Sequence, residues 1–221
     1  MIPALRRAAL VILLTGAVAG AAAWVVFFSP LLGVREIEVT GGSAALAERV
    51  RAAAGVPTGT PLAAVDLGEV ERRVRGVLEV ESARVARGWP GTLRISVVER
   101  TPIAVIPAGD RVLVVDRFGV VLGRVANAPR LPVLRGGPDP GDPAVRAALS
   151  VLHALPPGLA ARVAEVRAPS AKSITLRLAD GRTVLWGDAR HAAQKSRNLA
   201  SALSKPGTFY DVSSPRVVTV K

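Results

Sequence analysis

The sequence predicts an α+β protein: one membrane-crossing helix, a small strand–helix–helix–strand–strand unit, then a mostly antiparallel β unit with flanking helices. Three observations carry this. Residues 8–28 form a run of 21 residues without a charge. Between Val34 and Pro102 the hydrophobic period is two, then 3.6, then two again. From Ile103 onward, short alternating segments set between Gly, Pro and Asp-Gly turns prevail, with two helical stretches among them.

The apolar run, "AALVILLTGAVAGAAAWVVFF", has Thr15 as its one polar side chain. At ~1.5 Å per residue it spans roughly 31 Å, about one hydrocarbon core. Trp24, Phe27 and Phe28 stand at its far end, where aromatic rings favour the interface. A cleaved signal peptide is the rival, with Ala21–Ala23 as the cleavage site. The run continues to Phe28, however, longer than a typical signal core of ~7–15 residues, which favours a retained anchor. Arg6 and Arg7 precede it and only Arg35 follows closely. This bias puts residues 1–7 on the cytoplasmic side and the bulk of the chain outside.

In the first unit, "VREIEVT" (34–40) alternates as a half-buried strand, and Gly41-Gly42 breaks it. Ser43 opens a helix with Leu46 and Val50 on one face, closed by Gly55 and Pro57. Asp66 with Glu69 three residues on is a capping-box arrangement. The helix it opens has the apolar face Leu67, Val70, Val74 and Leu78. Two strands follow, with imperfect alternation around Val80, Ala83 and Val85, and a clean one at Leu93, Ile95 and Val97. Gly88-Trp89-Pro90-Gly91 turns between them, and Pro102 ends the unit.

In the second unit, "RVLVVD" and "GVVLG" (119–123) flank Arg117-Phe118 as a hairpin. A proline-rich connection runs from Pro129 to Pro143. Asp142 caps a helix with Pro143 in its first turn and Val145, Leu149 and Leu152 on its face. "RVAEVRA", "SITLRLA" and "RTVLWG" are strands, the last two joined by an Asp180-Gly181 hairpin turn. Asp188–Ser204 is a helix, and the last strand holds Tyr210 to Ser214, stopped by Pro215.

Composition narrows the chemistry. The net charge is +12, and beyond residue 28 there are 27 bases and 17 acids. This favours anionic surroundings. Dispersed arginines with 4% aromatics do not make a nucleic-acid surface. The absence of cysteine excludes disulfides, thiolate metal sites and cysteine nucleophiles. The two histidines, His153 and His191, sit on separate helices and do not form a zinc site. There is no G-x-S-x-G elbow and no G-x-G-x-x-G loop. Ser213 and Ser214 stand beside Asp211 without a base, so they are poor nucleophiles. No catalytic residue, metal or cofactor is expected.

The combined pattern resembles the FtsQ/DivIB family of bacterial cell-division proteins, with an actinobacterial-like tail. Four pieces carry the resemblance: the single N-terminal apolar segment, the "VREIEVTGG…VESARVARGWPGTLRISVVERTPIA" string, "VLVVDRFGVVL", and "DGRTVLWGD…K" followed by "YDVSSP". The motif residues are Arg87, Trp89, Pro90, Thr92, Leu93, Glu99, Arg100 and Pro102. They read mainly as architecture: Trp89-Pro90 as a rigid turn with the ring folded over the helices, Glu99 and Arg100 as partners of neighbouring strands. An exposed recruiting face at the turn is the alternative.

The resemblance implies a polypeptide-transport-associated (POTRA) module over 34–102, a strand-rich FtsQ-type domain over 103–215 and a tail over 216–221. It implies a non-enzymatic membrane protein at the division septum that recruits FtsB/DivIC and FtsL and helps regulate septal peptidoglycan synthesis. It assigns partner binding to Tyr210, Asp211, Val212, Ser213 and Ser214, read as an edge strand, and to Lys195 on the preceding helix. Completion of the sheet is the plainer role for that strand. If the edge is open, a charge or proline at Val212 blocks binding while the domain stays folded. Two other functions rank lower. A POTRA-type polypeptide-handling chaperone normally precedes a membrane β-barrel, for which the chain has no room. An exported hydrolase would need His153 or His191 as its base, and no G-x-S-x-G elbow offers the nucleophile.

Overall fold

The computed structural model describes residues 10–21, 24, 32–127, 129–137 and 139–221. Residues 10–21 are helical (α1). Among the described residues no helix is long and apolar enough to cross a membrane. The expected anchor over 8–28 lies partly outside the described residues, and the 1–7 segment lies wholly outside them. The chain divides between Arg100 and Thr101 into two compact units.

The first unit follows the sequence pattern closely. Strand β1 (Glu36–Thr40) leads to α2 (Ala44–Ala54), a 3-10 turn (Leu62–Ala64), α3 (Leu67–Arg75), β2 (Val80–Gly88) and β3 (Thr92–Glu99). The sheet order is β1-β3-β2, with β1 parallel and β2 antiparallel to β3. Between β1 and α2 the backbone turns through Gly41 and Gly42 at φ +86° and +73°. A side chain at Gly41 would stand 2.1 Å from the Val97 carbonyl oxygen. Ser43 Oγ then accepts from the Leu46 N–H at 3.3 Å, and Asp66 Oδ1 from the Glu69 N–H at 3.0 Å. That hydrogen bond holds the Asp66 carboxyl below its ordinary range. Leu46, Val50, Val70 and Val74 from the helices bury against Val80, Ala83, Leu93, Ile95 and Val97 from the sheet.

Several expectations are corrected here. Helix α3 ends at Arg75, a turn too soon to carry Leu78, which is exposed. The irregular alternation of β2 is a bulge between Val80 and Ser82, which returns both Val80 and Ala83 to the core. Trp89 is 53% exposed and outside the core, so its ring does not fold over the helices. Glu99 reaches the α2 cap rather than a neighbouring strand, accepting from the Ser43 N–H at 2.7 Å and Ser43 Oγ at 3.3 Å. Arg100 Nε donates to the Leu78 carbonyl at 3.0 Å. Pro102 opens the first strand of the second unit instead of ending the first. A strand's first residue is a place where proline costs no ladder hydrogen bond.

The second unit is one nine-stranded sheet with helices on one face. Its elements are β4 (Pro102–Ala108), β5 (Arg111–Asp116), β6 (Val121–Val125), β7 (Val133–Arg135), α4 (Pro143–Ala154), α5 (Pro157–Ala160), β8 (Val163–Ser170), β9 (Ser173–Leu178), β10 (Thr183–Gly187), α6 (Ala192–Ala202), β11 (Phe209–Asp211) and β12 (Thr219–Val220). The order is β12-β11-β10-β9-β8-β7-β4-β5-β6. Pairs β10/β11, β7/β8 and β4/β7 are parallel and the rest antiparallel. Along β9, buried Ile174, Leu176 and Leu178 alternate with exposed Ser173 and Arg177, so one sheet face is solvated. Val145, Leu149 and Leu152 of α4 cover the other face. This unit carries 17 bases and eight acids, the first 12 and nine, so most of the excess positive charge lies here.

Two elements differ from expectation. Strand β6 starts at Val121, because the buried Asp116 carboxylate accepts from the Phe118 and Val120 N–H groups and holds residues 117–120 as a turn. The proline-rich connection contains β7, three residues between Pro132 and Gly136, too short to show a period.

Arg87 is the first unit's tie between strand and turn. Its Nε donates to the Leu62 carbonyl at 2.8 Å, and its Nη2 to those of Ala63 at 3.2 Å and Val65 at 2.7 Å. Arg87→Met is expected to destabilise the unit by about 2–3 kcal/mol, since hydrogen bonds from a charged donor are lost. A lowered urea midpoint with unchanged slope checks this.

Candidate partner-binding edge

The C-terminal end of the sheet is built on the corner between β10 and α6. At Gly187 the backbone is left-handed (φ +79°), and a Cβ there would stand 2.9 Å from Ser213 Cβ. The chain then turns through Asp188 and Arg190 before α6 begins at Ala192, with His191 as its cap at φ 56°. The expected helix start at Asp188 is overturned, because Asp188 turns its side chain onto Arg190 and Lys195. It accepts from Arg190 N at 3.1 Å, Arg190 Nε at 2.6 Å and Lys195 Nζ at 3.0 Å.

Lys195 is 1% exposed. Its ammonium donates to the Trp186 carbonyl at 3.1 Å, the Asp188 carbonyl at 3.0 Å and Asp188 Oδ1 at 3.0 Å. An ammonium has three protons, and all three are used. Lys195 therefore fastens the corner and has nothing left to offer a partner, against its expected role as a contact. Burial pushes the Asp188 carboxyl up, but hydrogen bonds from Arg190 and Lys195 outweigh it and hold the group at about 2.

Beyond α6, Tyr210 is fully buried, and its hydroxyl donates to the Lys205 or Gly207 carbonyl at 2.9 and 3.0 Å. Arg182 binds Asp180 through Nε at 3.0 Å and Nη2 at 2.7 Å, and reaches the Leu203 carbonyl at 3.1 Å. These hydrogen bonds hold the Asp180 carboxyl well below its ordinary range and raise the Arg182 guanidinium above its own. Asn198 Nδ2 donates to the Pro215 carbonyl at 2.9 Å, tying the following loop to α6.

The structure separates the five predicted strand residues. Only Tyr210 and Asp211 lie in β11, which ends because Asp211 Oδ1 accepts from the Ser213 N–H at 2.9 Å and Ser213 Oγ at 2.7 Å. That closes an Asx turn. Val212 is fully buried, and its N–H donates to the Leu185 carbonyl at 3.0 Å. Ser213 and Ser214 are exposed in the loop. Nor is β11 the edge: it lies between β10 and β12.

The outermost strand is β12, in residues expected to be a tail. Tyr210 stands opposite Val220 and Asp211 opposite Thr219. Phe209 and Lys221 exchange both backbone hydrogen bonds, at 3.0 and 2.9 Å. Antiparallel pairing alternates, so the N–H and C=O of Val220 point away from β11, toward the outside of the sheet. The missed signal was the β-branched run "VVTV" (217–220). Among the described residues no group of three or more His, Cys, Asp or Glu could hold a metal.

Residues 32–100 match the family described as POTRA domain, FtsQ-type, and residues 104–214 the one described as cell division protein FtsQ/DivIB, C-terminal. The chain belongs to the FtsQ/DivIB family of cell division proteins. Cell division protein FtsQ of Mycolicibacterium smegmatis is 46% identical over 196 residues, covering 88% of this chain and 59% of that protein. FtsQ of Mycobacterium tuberculosis (strain H37Rv) is 44% identical, covering 88% and 62%. FtsQ of Streptomyces venezuelae is 37% identical, covering 87% and 75%. The chain thus spans about three-fifths of the length of these mycobacterial relatives. A solved extracytoplasmic domain of DivIB from Geobacillus stearothermophilus aligns with 48% of this chain and 95% of that one, at 22% identity and TM-score 0.38. The FtsQ/DivIB match ends at Ser214, short of β12.

Two outcomes follow from this corner of the family's C-terminal domain. Val212→Asp is expected to unfold the second unit rather than only block binding, since it buries a charge without a partner at a cost of several kcal/mol. Loss of the cooperative thermal transition checks this. Asp188 has a folded value below the ordinary 3.8. Its contribution to stability is therefore present above about pH 4 and lost as pH falls toward about 2. Asp188→Asn should lower the thermal midpoint at pH 7 and flatten its fall between those values.

Proposed function

We propose that this chain is a non-enzymatic, single-pass membrane scaffold of the division machinery. Residues 8–28 anchor it with the N-terminus in the cytoplasm, and both units stand outside at the septum. Its C-terminal edge, β12 with the adjoining α6, takes up an extended segment of an FtsB/DivIC-like membrane protein, with an FtsL-like protein in the same complex. Through them the chain helps regulate septal peptidoglycan synthesis. Family membership supports the setting.

The observation that carries the docking site is the outward N–H and C=O of Val220, a template for an added strand. On the helix, exposed Arg197 is the cation available to an acidic partner, in place of buried Lys195.

Val220→Pro removes the outward N–H, while the ladder to β11 runs through Thr219 and Lys221. Affinity for a co-expressed FtsB-like partner is expected to fall roughly tenfold or more, with the thermal midpoint nearly unchanged. Thr219→Pro breaks the β11 ladder itself and lowers both. Unaltered capture by Val220→Pro would overturn the site. A C-terminal reporter that reads cytoplasmic would overturn the orientation.

A further inference from the structure

Trp89, exposed on the β2–β3 turn, has no role in the core of the first unit. Trp89 lies at the tip of the β2–β3 hairpin, and the topology fixes where that tip sits. β1 and β3 run parallel with Glu36 opposite Thr92, so both strands start at the same end of the unit. The tip is therefore at the end where the chain enters from the N-terminal apolar run. The Arg35 and Glu36 N–H groups donate to the Gly91 carbonyl at 2.8 and 3.3 Å, and the Arg35 stem runs over Gly91. The loop at 57–61 completes this end: the Gly59 N–H donates to the Val34 carbonyl, and the Val34 N–H to that of Thr60, both at 2.8 Å.

The chemistry of this end is uniform. Residues 32–35, 57–64 and 88–91 contain no acid, and Arg35 is their cation; the first acid after them on β1 is Glu36. The apolar run ends at Phe28, four residues before Leu32. At ~3.6 Å per residue the chain can separate the two by roughly 14 Å at most. The headgroup layer on each side of a bilayer is about 6 Å thick. An indole, apolar in body with one N–H donor, is the side chain that favours that layer.

We propose that the β2–β3 turn is a second membrane contact. Trp89 lies in the lipid headgroup layer and holds the first unit against the bilayer by its entry end. This rests on residues 8–28 being an anchor, and the test separates the two.

The full chain is reconstituted into phospholipid vesicles whose acyl chains are brominated near the headgroup, and tryptophan quenching is measured. The chain has three tryptophans. Trp186 is fully buried in the second unit and stays dark to the quencher. Trp24 belongs to the apolar run and reports anchoring. Trp89→Phe removes an exposed turn side chain and leaves the core intact. The lipid-quenched emission is expected to fall to roughly half in this variant, as one of two indoles at the membrane is lost. If it is unchanged while Trp24 is still quenched, and iodide in the aqueous phase reaches the emission that was lost, Trp89 stands in water and the contact is overturned with the anchor upheld. If the wild-type chain shows no lipid quenching at all, the anchor fails and the proposal with it.

Discussion

The C-terminal sheet depends on the buried Lys195 ammonium. A charge removed from water is costly unless its hydrogen bonds are replaced, and here three oxygens of the β10–α6 corner replace them. Two of those acceptors are backbone carbonyls, so the lysine fixes the path of the chain as well as a side chain. The corner sets the start of α6, and α6 sets where β11 returns parallel to β10. β12 then pairs with β11, and the sheet's outer edge is displaced by one strand from the Tyr210–Ser214 stretch that the sequence points to.

This displacement separates the residues that hold the sheet from those left exposed at its edge. Tyr210, Val212 and Lys195 are buried and saturated. The groups left exposed at this corner include the outward backbone of β12, Ser213 and Ser214, and the outer side of α6. In this chain the residues that hold the edge and those left exposed beside it are neighbours in sequence but different residues. The first unit shows the same division. Arg87 and Glu99 tie strands to turns and caps, while Trp89, two residues from Arg87, is left in the open.

Much of the fold was legible because local physics is written in local spacing. Ser43, Asp66 and Asp142 cap the helices they precede, and the period-two runs became β1, β3, β5, β8, β9 and β10. Short elements were not legible. β7 has three residues and β12 two, fewer than one full alternation needs. The site was legible only as a neighbourhood. A buried tyrosine beside an aspartate and two serines looks the same in sequence whether its strand is outermost or second from the edge.

What the sequence by itself determined is the order of most of the longer elements, the change of pattern near residue 102, the surplus of positive charge and the 21-residue uncharged run, since each depends on composition or on residues a few positions apart. What only the tertiary structure decided is which strand is outermost, that Lys195 is sealed and that Trp89 is not. Those depend on pairing between segments distant in the chain: β1 with β3 across more than fifty residues, and β10 with β11 across the whole of α6. Burial is a property of the neighbours a residue acquires, and no spacing within its own segment encodes them.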